Sequence, residues 1–112
     1  MDLTRFKLEA SAYHRILCDR ILQGNIKAYP PIEANAVKID LHTINQNITA
    51  ITLEQSLEPQ IKNIMRMFEK SADDVKQIMN FEVGKNDIID DGLEKLQDAA
   101  ALVIPKPKLL LR

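Results

Sequence analysis

A chain of 112 residues, 46% hydrophobic and 28% charged, has the composition of one folded domain, too apolar for disorder and too polar for a membrane-embedded protein. Fifteen basic and sixteen acidic side chains give a net charge of −1, so no global field draws it to nucleic acid or anionic lipid. Aromatic residues amount to 4%, which puts the core on aliphatic side chains and leaves few platforms for stacking bases.

Residues 1–7 alternate charged with apolar side chains and lack the apolar run and cleavage site of a secretory leader. The longest uncharged apolar runs, 99–104 and 109–111, fall far short of the roughly 18 residues that span a bilayer, so no membrane association is expected. A single cysteine, Cys18, excludes an internal disulfide, and a cytoplasmic setting is expected.

Phe6, Ala10, Tyr13, Leu17 and Ile21 recur at steps of four, three, four and four, and so share one face of a helix expected over about residues 4–23. Asp2 or Thr4 can accept from its first amides, and Gly24-Asn25 supplies a left-handed stop. In residues 25–33 the run Tyr29-Pro30-Pro31 fixes φ and removes amide hydrogens, which predicts an extended linker.

Residues 36–53 fit two templates. Val37, Ile39 and Leu41 alternate, and Ile, Thr and Val are frequent, as in a hairpin turning at Asn45-Gln46-Asn47 that would make the fold α+β. Ala34, Val37, Leu41, Ile44, Ile48 and Ile51, however, follow steps of three, four, three, four and three. They leave Lys38, Asp40, His42, Asn45 and Asn47 off the seam. The helical template accounts for more positions, so a helix is expected.

Pro59, with Ser56 or Glu58 as cap, opens the next helix, whose stripe is Leu57, Ile61, Ile64, Met65 and Phe68. Ser71-Ala72-Asp73-Asp74 has the composition of a further cap, and Val75, Ile78, Met79 and Val83 continue the apolar surface. The region is therefore either two helices or one bent one. Gly84-Lys85-Asn86 breaks the pattern, and Asp87 caps a last helix in which Ile89, Leu93, Leu96, Ala100 and Val103 step four, three, four and three. Gly92 inside it costs up to about 1 kcal/mol relative to alanine, a sign of close helix approach. Pro105 ends it, leaving residues 105–112 as an extended tail beyond a domain of residues 1–104. The expected fold class is all-α, a bundle of four to five amphipathic helices.

His14 and Cys18, four apart, suit zinc in residue type, but two ligands do not make a site, and neither Cys-x-x-Cys nor His-x-x-x-His stands elsewhere. Cys18 with His42 has the residue types of a nucleophile and its base, although a lone cysteine is more often a small buried hydrophobe. Asp87, Asp90, Asp91 and Glu94 line one side of a helical start. There they could hold magnesium or act as paired acid and base, but acidic residues in a first turn more commonly offset the helix dipole. A helix-turn-helix pivoting on Gly84 would turn those carboxylates toward phosphate. The isolated glycines at 24, 84 and 92 form no phosphate loop, and neither a nucleophile elbow nor a His-Glu-x-x-His helix is present. No catalytic residue, cofactor or metal is therefore assigned.

With no constellation for a reaction, the expected function is a non-catalytic protein–protein interaction module, a self-associating helical adaptor whose partner is another protein or a second copy of itself. Its expected interface is the two regular seams, Val37, Leu41, Ile44, Ile48 and Ile51 with Ile89, Leu93 and Leu96, together with Leu109, Leu110 and Leu111 of the tail. Ile39, Leu53 and Met67 fall off the stripes and add apolar surface. Two alternatives belong to other classes. One is a nucleic-acid-binding accessory protein using Arg5, Lys7, Arg15 and Arg20 or Lys106, Lys108 and Arg112. The other is a small-ligand or metal-binding protein with a pocket between helices, near Cys18, His14 and His42 or on the acidic face.

Overall fold

The computed structural model describes residues 3–24, 34–78 and 87–104, and the regular structure there is helical throughout. Four helices follow one another: α1 (Leu3–Gly24), α2 (Ala34–Ala50), α3 (Leu57–Ile78) and α4 (Asp87–Ala101). The expected linker at 25–33 and tail at 105–112 lie outside the described residues.

The apolar spacing of α1 becomes its buried face, with Phe6, Ala10, Tyr13, Leu17 and Ile21 each at most 2% exposed. In α2 the choice between strand and helix is decided by one residue. A strand would set Val37, Ile39 and Leu41 on a common face, whereas Val37 and Leu41 are 3% and 1% exposed and Ile39 is 67% exposed. Thr43 and Thr49, the β-favouring residues of this stretch, donate their hydroxyls to the carbonyls of Ile39 and Asn45 four residues back, at 3.1 and 3.0 Å. The hairpin alternative is excluded, because burying the seam of every third or fourth side chain outweighs local β preference.

A short connection joins α2 to α3, and Gln60 fastens it. Its side-chain carbonyl accepts from the Thr52 amide at 3.2 Å, and its amide donates to the carbonyls of Thr52 and Ser56 at 3.0 and 3.1 Å. Backbone groups that leave one helix before the next begins are thereby satisfied. α3 then runs to Ile78 as one helix, so Ser71-Ala72-Asp73-Asp74 is helix interior and not a cap. Ser71 and Ala72 are 1% and 3% exposed and prolong the buried stripe from Phe68 to Val75, while the exposed Lys70 pairs with Asp74 one turn on at 3.2 Å. Met79 and Val83 lie outside the described residues.

In α4 the side chains of Ile89, Leu96, Ala99 and Ala100 are buried. Beyond Ala101 the chain tightens, with the amides of Leu102, Val103 and Ile104 donating to the carbonyls of Ala99 and Ala100 at 2.9–3.2 Å. Ile104 is thereby folded onto the core at 5% exposure.

α1 and α3 each pack on both α2 and α4 and meet across the middle, whereas the backbones of α2 and α4 stay farther apart among the described residues. α1 meets α2 where His14 lies beside Leu41, and Cys18, Ile21, Lys38 and His42 line a pocket at the same place. α2 and α3 run antiparallel: Asp40 meets Lys70, Asn47 meets Met67 and Thr52 meets Gln60. The product is a helical bundle whose core draws on all four helices. No helix among the described residues is long and apolar enough to cross a membrane.

Candidate functional site

The two regular seams are consumed inside the chain. Val37, Leu41, Ile44, Ile48 and Ile51 are 0–8% exposed, Ile89 and Leu96 are fully buried, and Leu93 is half-buried against the same cluster. These residues, expected at an interface, face the other helices of their own chain and leave no open apolar seam between them. Periodicity reports which face is covered, and four helices in one chain suffice to cover it. Leu109, Leu110 and Leu111 lie outside the described residues. Of the off-stripe residues, Ile39 and Leu53 are both 67% exposed, but Met67 packs against the core, and its sulfur accepts from Asn47 at 3.4 Å.

The structure does bring His14, Cys18 and His42 to one place, around a small pocket of about 230 Å³ completed by Ile21, Lys38 and Leu41. Its chemistry is quiet. The Nε2 of His14 lies 2.8 Å from the Leu41 carbonyl, where it donates and ties α1 to α2. Cys18 Sγ stands 3.8 Å from the same ring, a weak contact between neighbours one turn apart. Burial, helped by the nearby Asp19 carboxylate, pushes the Cys18 thiol above its ordinary value, which keeps it protonated and opposes nucleophilic use. Among the described residues no group of three or more His, Cys, Asp and Glu side chains is placed to hold a metal ion.

Tyr13 is the hinge of the packing between α1 and α4. Its ring meets Phe68 edge to face at 5.3 Å between centroids, and its hydroxyl donates to the Ile89 carbonyl at 2.8 Å. Gly92, one turn along α4, makes room for that ring: a Cβ there would stand 2.6 and 2.7 Å from Tyr13 Cδ1 and Cε1. The close approach expected at this glycine is therefore present. Desolvation first, then the carboxylates of Asp90 and Asp73, pushes the Tyr13 hydroxyl far above its ordinary range, so it stays a donor at any physiological pH.

Beside this contact lies an open groove of about 880 Å³ between α1 and α4. Ile16, Ile88 and Gly92 form its apolar part, with Ile88 46% exposed. Asp87, Asp91 and Glu94 line it as carboxylates, and none of the three forms an ion pair among the described residues. Arg20 and Asp98, which have partners, and the exposed Lys95 complete the lining. The fourth member of the expected acidic face, Asp90, is drawn off toward α3, where it accepts from Lys76 at 2.6 Å. The acidic face thus splits: one carboxylate ties helices together and three remain at a groove with two isoleucines.

Ile16 and Ile88 were not singled out by spacing, because each sits next to a stronger core position, Leu17 and Ile89, and falls off the regular steps. Gly92 was the available signal, since a missing side chain on a packed helix implies either contact or space on that face. Of the basic residues named on α1, Arg20 lies at this groove among carboxylates, an environment hostile to phosphate. No family model, no curated protein and no solved structure matches this chain.

Proposed function

We propose that the chain is a non-catalytic protein-interaction module whose contact surface is the groove between α1 and α4. One observation carries this: an open groove that combines Ile16 and Ile88 with three carboxylates, Asp87, Asp91 and Glu94, that form no ion pair among the described residues. Apolar anchors within a polar rim are what an extended or helical segment of a partner docks against. The groove is open and not enclosed among the described residues, which suits a peptide segment better than a small molecule that needs enclosure. A net negative rim selects a partner segment that carries both cationic and apolar side chains.

Site-specific photo-cross-linking tests it. A photoreactive side chain at Ile88, on the groove, is compared with one at Ile39, equally open to solvent but on α2. Covalent adducts to protein from position 88 and not from position 39 are expected. Adducts from neither position, or equally from both, overturn the assignment.

A further inference from the structure

We propose that the occupant of the α1–α4 groove is the C-terminal segment 105–112 of a second copy of this chain. This rests on the groove being a protein-docking surface and adds the identity of what docks.

Charge and shape agree between the two halves. The segment Pro105-Lys106-Pro107-Lys108-Leu109-Leu110-Leu111-Arg112 carries three cations around three leucines and no acid. The groove carries Asp87, Asp91 and Glu94, without ion pairs among the described residues, beside the apolar Ile16 and Ile88. Three cationic side chains can meet three carboxylates while the leucines cover Ile88, which is otherwise 46% exposed. The core of the chain offers the leucines little room, because its seams are already filled by its own helices.

Reach decides between its own copy and another. Ile104, folded onto the core at 5% exposure, fixes where the segment departs, at the far end of α4 from Ile88. The distance back to Ile88 is about 24 Å of helical rise. Even taken straight back from Ile104, five and six fully extended residues span about 17 and 20 Å, so Leu109 and Leu110 fall short of their own Ile88 by chain length alone. The groove of a second copy is under no such limit. Exchange of the two segments closes a symmetric dimer.

Sedimentation equilibrium on the full chain tests this with three variants, each checked for an unchanged thermal transition. The native chain is expected to dimerise in the micromolar range. Leu109→Ser/Leu110→Ser/Leu111→Ser removes the anchors, and Asp91→Lys/Glu94→Lys reverses the groove; each is expected to raise the dimer dissociation constant about tenfold or more. Adding Lys106→Glu/Lys108→Glu to the groove variant restores opposite charges and is expected to restore dimerisation. A native chain that stays monomeric overturns the proposal, as does one that dimerises equally well without the leucines. Neither result touches the cross-linking from Ile88, so a groove that binds some other protein remains distinguishable from one that binds nothing.

Discussion

Gly92→Ala sets two effects of opposite sign against each other, and the structure decides between them. In an exposed helix interior, alanine in place of glycine stabilises by about 1 kcal/mol, because glycine loses more backbone freedom on folding. Here the added methyl would stand 2.6 and 2.7 Å from two carbons of the Tyr13 ring, where carbon atoms in good contact lie about 3.5–4.0 Å apart. The ring would have to retreat by about 1 Å. It is 2% exposed, braced by Phe68 at 5.3 Å and tethered through its hydroxyl to the Ile89 carbonyl at 2.8 Å, so it has nowhere to go without breaking one of these contacts. Overpacking of this kind costs about 1–3 kcal/mol, and loss of the tyrosine hydrogen bond adds about 1 kcal/mol. The net expectation is destabilisation by about 1–3 kcal/mol, measured as a fall in the denaturant midpoint at unchanged slope, followed by circular dichroism. In a Tyr13→Leu background, which removes the ring that the methyl meets, the same substitution should be neutral or stabilising. A Gly92→Ala chain as stable as the native one would refute the close packing of α1 on α4.

Ser71→Ala should stabilise the fold by about 0.5–1.5 kcal/mol in the same denaturation assay, because the Ser71 hydroxyl is 1% exposed and finds no hydrogen-bond partner among the described residues; a loss of stability would mean that the hydroxyl is bonded. Tyr13 should make stability fall at alkaline pH. Its folded-state value is raised above the ordinary 10.0, so the fold favours the neutral hydroxyl, and its contribution is complete below about pH 10 and lost as pH rises beyond it. Cys18, Lys70 and Lys76 are shifted in the same direction, so the diagnostic is the difference between the native chain and Tyr13→Phe, which should have the shallower alkaline loss in thermal melts. Cys18 should react with an alkylating reagent at neutral pH more slowly than a free thiol and speed up on unfolding; a faster reaction in the folded chain would reopen a nucleophilic role.

The helices were legible because their apolar steps map directly onto burial. Phe6 to Ile21 on α1 and Val37 to Ile48 on α2 are each inside, and Ile39, out of step by two, is outside. Two features resisted for identifiable reasons. Ser71-Ala72-Asp73-Asp74 has the residue types of a cap, but small side chains also serve where helices pack closely, and only the neighbouring helices distinguish the two uses. The seams at Val37 to Ile51 and at Ile89 to Leu96 have the same regularity whether they meet other helices of one chain or another copy, and the chain proved to contain enough helices to cover both.

The groove was harder still to read, because its two walls are brought together only by the fold. Ile16 and Ile88 are far apart in sequence and each is shadowed by a stronger core neighbour; the carboxylates at 87, 91 and 94 read equally well as dipole compensation until one of their companions, Asp90, is seen paired with Lys76 and they are not. What turns an ordinary acidic helix start into a candidate contact surface is therefore the combination, acid with no ion pair among the described residues beside exposed isoleucine across from α1. The seams supply the scaffold that holds those walls apart at fixed spacing. In this bundle the surface lies outside the stripes, because the side chains that satisfy the helical period most regularly are drawn into the chain's own core.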